Sequence, residues 1–300
     1  MLGWQLKDII PLLNDIKSQN FDAIQINPIQ PSKENVKNVW WMSYQPISFE
    51  IGNEFGSKND LISLCYIAKT KGIDIIADVV CNHLANKNYA DSLEPNEKCD
   101  AELVNNPSCW KGKNLISDYS HRADVIRNNI GLPGLNHNNE IVQSKIIKFL
   151  SDLRDCGVSG FRFDAAKHIA LPEEGCNFWN LIKCFLYLNN MYAYGEVLGN
   201  NYFIAEAYSN YFDILTEYGN EVPPNKAIIF PETHDQYLHQ EETFYASDEE
   251  IARRYLEICK DNLKTGYYMR PNDLFALSSP EIKQANSYKN ENTKVLRKVI

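Results

Sequence analysis

Hydrophobic positions along the chain follow two spacings in turn, and together they predict alternating helices and strands. Apolar residues at helical spacing predict a helix over 5–18. A short apolar run stopped by prolines then predicts a buried strand over 22–27. Asn59 or Asp60 is placed to cap a further helix that ends at Gly72, and the run 73–80 predicts the next strand. Strand, helix, strand with short links is typical of a parallel sheet.

The segment 83–139 interrupts this rhythm. It is polar and rich in Asn, Ser and Gly, which predicts an irregular excursion from the core. After it, the spacing predicts helices over 140–155, 178–188, 247–259 and 292–300, and strands over 159–164, 192–197, 226–232 and 266–270. We therefore predict a barrel formed by 1–83 and 140–300, with 84–139 as an inserted irregular subdomain.

Repeated strand–helix units over this length predict an α/β fold of the (β/α)8 TIM-barrel type. A doubly wound open sheet is the alternative, although no Gly-x-Gly-x-x-Gly follows any predicted strand. In a barrel, the working residues come from the carboxyl ends of the strands. The fold prediction therefore directs attention to the polar residues at those ends.

Composition narrows the classes of function. The 300 residues are 44% hydrophobic and carry a formal net charge of -9, which fits a globular protein and argues against nucleic acid as a partner. No apolar run approaches the roughly 18 residues that a membrane-spanning helix needs. The N-terminus shows neither the basic region nor the apolar region of a signal peptide, so we expect none in this chain. Neither the compartment nor the oligomeric state can be predicted.

The cysteines do not indicate a metal site, because no two of them form a Cys-x-x-Cys pair. Four lie in apolar element interiors and are predicted to be small buried thiols: Cys65, Cys81, Cys156 and Cys259. Cys99 and Cys109 lie in the polar excursion. They could pair in an oxidising compartment, and the sequence leaves this open.

The segment 160–168 carries the most informative polar pattern. Read as a strand, it places Arg162 and Asp164 on the same face, with Phe161 and Phe163 on the other. Such charges are costly to bury unless they face each other or a cleft. A half-buried ion pair at a strand end is the simpler interpretation of this segment taken alone.

Polar residues recur at the ends of the other predicted strands, which favours a shared site. They are Asp78, Asn82 and His83 after one strand, Glu196 after another, and Glu232, His234 and Asp235 after a third. Two facing carboxylates in different environments are the equipment of glycoside hydrolysis. Arg162 is expected to keep Asp164 ionised, as suits a nucleophile. Glu196 has no adjacent cation in the sequence, so we expect it to hold a proton more easily.

Four segments carry a family resemblance at this point. The stretches 78–83, 160–168, 195–197 and 232–235 resemble, in order, the signature segments of the alpha-amylase family of glycoside hydrolases, glycoside hydrolase family 13. Weaker similarities around them look closest to secreted bacterial alpha-amylases, so the resemblance leans towards a secreted protein. It covers most of the chain.

The resemblance implies a retaining mechanism with Asp164 as nucleophile and Glu196 as general acid/base. Asp235 would stabilise the distorted sugar ring. The residues implied in substrate binding are Tyr44, His83, Arg162, Lys167, His168 and His234. Tyr44 would stack on the sugar, as apolar C–H faces suit aromatic rings. Ordinary packing is the alternative for Tyr44 and its neighbours Trp40 and Trp41.

The resemblance also implies a structural calcium ion held by Asn82 and the carbonyl of His168, together with an aspartate in the excursion. Gly134 stands where that aspartate is expected. A hard cation prefers six to eight oxygen ligands that include carboxylates. Calcium is therefore an open expectation.

The chain departs from the family pattern elsewhere too. Compared with that pattern, we expect the first barrel strand to be absent, little room for the sixth helix, and no C-terminal β-sandwich. We therefore expect a reduced barrel. The implied substrate is an α-1,4-linked glucan such as starch or glycogen. A transglycosylase or an oligosaccharide α-glucosidase would share the motifs, and a catalytically weak carbohydrate-binding remnant is the alternative of another class.

Overall fold

The architecture is a partial barrel of parallel strands. A computed structural model describes residues 1, 3–34, 39–88, 92–199, 202–216, 222–238 and 246–299. The strands are β1 (Ala23–Ile26), β2 (Gly52–Asn53), β3 (Gly56–Ser57), β4 (Asp74–Val79), β5 (Gly160–Phe163), β6 (Tyr192–Glu196), β7 (Asp213–Leu215) and β8 (Ala227–Ile228). Of these, β2 and β3 form a small antiparallel hairpin, and the other six make one parallel sheet.

The strand order in this sheet is β1-β4-β5-β6-β7-β8, so each strand lies beside its predecessor in the chain. A doubly wound sheet would reverse its order at a switch point, so the open-sheet alternative is wrong. The sheet also curls. The Tyr194 hydroxyl on β6 donates to Gln25 on β1 although two strands lie between them, and Gln25 in turn donates to Asp78 at 3.3 Å. The prediction of a reduced (β/α) barrel is confirmed.

Helices accompany the sheet. They are α1 (Leu6–Ile9), α2 (Leu13–Ser18), α3 (Lys58–Thr70), α4 (Ala101–Val104), α5 (Arg122–Arg127), α6 (Glu140–Asp155), α7 (Phe178–Leu188), α8 (Tyr202–Tyr208), α9 (His234–Leu238), α10 (Asp248–Asp261) and α11 (Pro280–Val299). The predictions for α6 and α7 match these bounds. Within the described part of the chain, no helix is long and apolar enough to cross a membrane.

Local chemistry explains where the helices differ from prediction. The helix predicted over 5–18 is interrupted by a 3-10 turn at Ile10–Leu12, because Pro11 cannot donate a backbone hydrogen bond. The helix α3 is capped by Ser57 rather than by Asn59 or Asp60. Asp60 instead completes a capping box, accepting the Ser57 N–H at 2.8 Å.

The late strands are shorter than predicted. Of the strand predicted over 226–232, only Ala227–Ile228 pairs, since Pro231 ends any further ladder. The strand predicted over 266–270 is wrong, because this stretch makes a single backbone hydrogen bond to the sheet, from the Gly266 N–H to the Ile229 carbonyl at 2.8 Å. Both β7 and α8 were missed. The described residues of 216–226 contain no helix, and 217–221 lie outside the described residues.

The excursion 84–139 has only short helices and isolated bridges, as predicted. Its buried residues Leu103, Cys109 and Leu135 belong to the same hydrophobic core as the barrel strands. The proposed domain boundaries therefore stay a prediction. All eight cysteines are free, and the four predicted buried thiols are buried. Cys99 and Cys109 are not bonded to each other. Their thiols contact Ala85 and Asn139 instead.

Candidate active site

One buried arginine organises the mouth of the barrel. Arg162 on β5 is 1% exposed, and in the sheet it lies beside Asp78 of β4. Its Nη1 donates to Asp78 Oδ1 at 2.8 Å and to Asp164 Oδ1 at 2.7 Å. Its Nη2 lies 2.9 Å from Glu196 Oε1. A single guanidinium therefore contacts three carboxylates, each from a different strand end.

The charge balance of this cluster favours retention of a proton. Burial raises the pKa of Asp164 well above its ordinary value, and the charges of Glu196 and Asp78 add to the increase, while Arg162 opposes it. Burial likewise raises the pKa of Asp78. The argument that Glu196 has no nearby cation is wrong. The cation is close in space, since Arg162 comes from a neighbouring strand.

The turn after Asp164 also reaches Glu196. Ala165 adopts the left-handed backbone conformation, with φ 48°, which is uncommon for a residue with a side chain. Its N–H then donates to Glu196 Oε2 at 3.0 Å. Both oxygens of Glu196 are therefore engaged, Oε1 in an ion pair with Arg162 and Oε2 in a hydrogen bond from this strained turn.

Tyr44 connects the cluster to the opposite wall. Its hydroxyl donates to Asp78 Oδ2 at 2.9 Å and lies 3.2 Å from His234 Nε2. The Tyr44 and His234 rings are stacked at 5.6 Å, and Trp40 meets both rings edge-on. Trp40, Trp41 and Tyr44 all line the cleft described below. Trp40 and Tyr44 therefore pack against their neighbours and also line the cleft, so the two interpretations do not exclude each other.

The histidines that follow β4 and β5 are neutral. The His83 Nε2 donates to the Tyr44 carbonyl at 2.9 Å, and burial lowers the pKa of His83 to about 4. The His168 Nδ1 donates to the Val125 carbonyl at 3.3 Å, and burial lowers its pKa to about 3. Lys167 donates to the Leu198 carbonyl at 2.8 Å. The cleft is thus lined by two neutral imidazoles, whose N–H groups are held by backbone carbonyls, and by one cation.

Asp235 differs from the buried carboxylates. It lies in α9, its Oδ1 is 3.5 Å from His234 Nε2, and its side chain is 42% exposed. Glu232, from the same segment, is turned away. It forms a two-pronged ion pair with Arg270 at 2.8 Å on each oxygen. The segment 232–235 thus divides into a structural carboxylate and one that faces the cleft.

The predicted residues meet in one cleft of about 400 Å³. Its lining includes Tyr44, His83, Asp164, Lys167, His168, Glu196, His234 and Asp235. Arg162 lies beneath it and lines a second cavity of about 710 Å³, which also reaches Glu196 and Asp235 and runs between the β1 and β8 edges. The structure therefore brings together every predicted catalytic and sugar-binding residue.

The two residues expected to hold calcium also converge. Asn82 Oδ1 and the carbonyl oxygen of His168 accept hydrogen bonds from the ammonium of Lys111, at 3.3 and 2.7 Å. Neither the role of Lys111 nor that of Tyr119, which lines the cleft, was predicted. Asp78 was noted at a strand end without a role. Asp78 lies beside Arg162 because of the register between β4 and β5, and residue spacing in the sequence does not predict that register.

A known protein family matches most of this sequence. A family model for alpha-amylase, the alpha amylase catalytic domain, matches residues 4–276. The alpha-amylase of Clostridium acetobutylicum is 35% identical over 269 residues, covering 79% of this chain and 35% of that protein. An alpha-amylase-related protein of Drosophila auraria is 29% identical over 182 residues, covering 58% of this chain and 37% of its own. The chain spans about a third of the length of these relatives.

Solved structures share the fold. An alpha-amylase from Malbranchea cinnamomea superimposes with a TM-score of 0.75 at 18% identity, covering 98% of this chain and 71% of its own. Alpha-amylase I from Eisenia fetida gives 0.72 at 19% identity, covering 91% and 66%. The family model spans most of the chain, including all four strand-end motifs. The chain therefore belongs to the alpha-amylase family of glycoside hydrolases.

Proposed function

We propose that the chain is a retaining glycoside hydrolase that cleaves α-1,4-glucosidic bonds in starch- or glycogen-like glucans by double displacement. One observation carries the proposal. Asp164 and Glu196 share the guanidinium of Arg162 and line one cleft together with Asp235. Binding a sugar does not need all three carboxylates, whereas double displacement uses a nucleophile, an acid/base and a stabilising group.

The shared guanidinium supports retention of configuration. Carboxyl groups held side by side on one arginine favour the short separation of about 5 Å found in retaining enzymes over the roughly 6.5–9.5 Å of inverting ones. In the first step, Asp164 attacks the anomeric carbon while Glu196 protonates the leaving oxygen. In the second step, water attacks and Glu196 takes its proton, which restores both carboxyl groups.

The contacts of Glu196 restrict how it can act as the acid. When Glu196 acts as the acid, its proton must point towards the leaving oxygen of the sugar and away from the Arg162 guanidinium at Oε1 and the Ala165 N–H at Oε2. Arg162 keeps two further partners, Asp78 and Asp164, so its charge then acts on the nucleophile. The reaction needs an ionised Asp164 beside a protonated Glu196, so the proton that burial favours on Asp164 must leave it before the attack.

The cleft walls fit a chain of sugars. Trp40, Trp41 and Tyr44 provide aromatic faces in the cleft lining, which also includes Tyr119 with the Lys167 ammonium 5.7 Å from the centre of its ring. Two structural neighbours were solved with acarbose and with maltohexaose, a Geobacillus thermoleovorans alpha-amylase and a variant of the Eisenia fetida enzyme. We infer a similar α-glucan ligand here.

The test measures reducing-sugar release from soluble starch by the wild-type chain and by Asp164→Asn. We expect the substitution to lower the rate by about 10³-fold or more, as loss of a nucleophile does elsewhere. The matched control is Asp152→Asn, at a half-buried aspartate on α6 that pairs with Lys148, and it is expected to leave the rate unchanged. Proton NMR of the fresh products should show the α-anomer first.

Four results would count against the proposal. Release that survives in Asp164→Asn would remove the nucleophile assignment. A β-anomeric first product would exclude retention. Binding of maltohexaose by the wild-type chain without any bond cleavage would favour the carbohydrate-binding remnant over the hydrolase. Transfer of glucosyl units to added maltose in excess of hydrolysis would favour a transglycosylase.

A further inference from the structure

We propose that the ammonium of Lys111 takes the structural place of the calcium ion implied by the family resemblance, so that this chain holds its active-site loops together without a divalent cation. The inference concerns the stability of the fold, and it does not depend on the reaction proposed above. It rests on the contacts of Lys111, on the space around Gly134 and on the donor set that surrounds them.

The ammonium of Lys111 binds two oxygen atoms. The Lys111 Nζ donates to the His168 carbonyl at 2.7 Å and to Asn82 Oδ1 at 3.3 Å. These are the two oxygen atoms that the resemblance assigns to calcium. An ammonium is a compact cation with three donors, so it can satisfy carbonyl oxygens that would otherwise need a metal. The same two oxygens cannot closely coordinate a calcium ion while this cation lies between them.

Gly134 makes the room for that side chain. A Cβ added at Gly134 would lie 2.8 Å from Lys111 Cδ and 2.7 Å from Asn129 Oδ1. Real Cβ atoms essentially never approach so closely, so an aspartate at this position would push the lysine stem aside. The Lys111 N–H also donates to the Gly134 carbonyl at 2.8 Å. The side chain of an aspartate at position 134 and that of Lys111 would therefore compete for the same space.

The remaining donors do not fit calcium. Asn82 and His168 contribute neutral oxygens, and among the described residues no group of three or more His, Cys, Asp or Glu side chains could hold a metal ion. Asp124, the buried aspartate of the excursion, is engaged by Ser117 at 2.7 Å and by Asn128. Calcium prefers several oxygens including carboxylates, so this set is better matched to a singly charged ammonium.

The position of Lys111 explains what it stabilises. It extends from the excursion to Asn82, which precedes the cleft residue His83, and to His168, which itself lines the cleft. One side chain thus connects the excursion to the loops that follow β4 and β5.

The first experiment uses the unmodified chain. Its melting temperature is measured after EDTA treatment and again with millimolar CaCl2, and Tb³⁺ luminescence is recorded as a direct probe of a calcium site. We expect the two melting temperatures to agree within about 1 °C and Tb³⁺ to give no saturable signal. A clear rise with calcium, or saturable Tb³⁺ binding that calcium displaces, would overturn the proposal.

The second experiment removes the ammonium. Lys111→Met keeps the length of the stem but leaves two buried carbonyl oxygens unsatisfied, which should lower the melting temperature by about 3–10 °C. Lys113→Met, at an exposed lysine of the same loop, is the matched control and should change it by less than about 1 °C. Equal melting temperatures for the two variants would refute a structural role for Lys111. If Lys111→Met does not fold, the calcium and Tb³⁺ measurements on the unmodified chain still decide.

Discussion

Replacing Arg162 with methionine tests the charge balance on which the site depends. Methionine retains much of the apolar stem and removes the guanidinium. Arg162 is buried at 1% exposure and holds Asp78, Asp164 and Glu196 at 2.7–3.1 Å. Arg162→Met would leave these carboxylates at the barrel mouth without a cation. We expect a large loss of stability whose size depends on pH.

The magnitude follows from the contacts. Hydrogen bonds to charged groups contribute about 1.5–3 kcal/mol each, but the desolvation of the charges offsets much of the sum. Breaking a buried ion network by removing one partner typically costs about 3–5 kcal/mol, because it leaves uncompensated buried charge. We therefore expect the free energy of unfolding to fall by about 3–5 kcal/mol near pH 7.

The stability of the Arg162→Met variant should fall as the pH rises, whereas an ordinary ion pair adds stability as its carboxylate ionises. Without Arg162, burial raises the folded-state pKa of Asp78 and Asp164 above the unfolded values, and nothing opposes it. The folded variant then binds more protons than the unfolded chain. Its penalty is small below about pH 4, where both states are protonated, and grows as the pH rises towards the folded-state pKa.

The assay is urea unfolding followed by tryptophan fluorescence at pH 5 and pH 8. Arg162→Met should lose more stability at pH 8 than at pH 5 relative to the wild type. Arg254→Met is the matched control, since Arg254 pairs with Glu250 at the surface of α10 and should contribute less than about 1 kcal/mol at either pH. A loss below about 1 kcal/mol, or one that shrinks as the pH rises, would refute the reasoning.

Two further predictions concern the packing around the site. Burial lowers the pKa of His137 to about 3, so the folded state binds fewer protons there than the unfolded chain, and stability should fall as the pH drops below about 6.5. His137 should account for about 2 kcal/mol of the loss between pH 7 and pH 5. His137→Gln should therefore flatten urea midpoints over this range, and an unchanged slope would contradict it. Gly195→Ala would place a Cβ 2.3 Å from the buried Phe212 ring and should cost about 1–3 kcal/mol in urea unfolding, whereas Gly112→Ala, with nothing within 4 Å, should cost little. Equal stability of the two alanine variants would disprove this account.

The sequence predicted the convergence of the site because strand ends are readable from periodicity. The runs before Asp78, Asp164 and Glu196 are mostly apolar, and parallel strands align their carboxyl ends at one edge. Once the sheet was identified as parallel, these residues had to meet. The interpretation of Arg162 and Asp164 as an ion pair was also correct, and it is compatible with a functional site.

Contacts between distant segments could not be predicted in the same way. The cation beside Glu196 comes from the neighbouring strand, so its absence from the local sequence was misleading. Lys111 lies far along the chain from both Asn82 and His168, and only the folded excursion brings it between them. The short strand β7 and the two-residue strand β8 carry too few residues for a period to be recognised.

The support for the three carboxylates is unequal. Asp164 follows β5 and Glu196 ends β6, and each of these strands pairs with a neighbour on both sides. Asp235 follows the edge strand β8, which has two residues. Its neighbour His234 is held instead by stacking on Tyr44.

A reduced barrel can therefore keep its nucleophile and acid in place through the sheet, while the third carboxylate depends on aromatic packing from the opposite side. Precise catalytic geometry requires side chains whose positions are fixed by the surrounding structure. Among the described residues, the sheet ends at β1 and β8, and these edges border the larger cavity, away from the paired strands that carry Asp164 and Glu196. We therefore expect incomplete closure of the barrel to loosen the position of Asp235 more than the positions of Asp164 and Glu196.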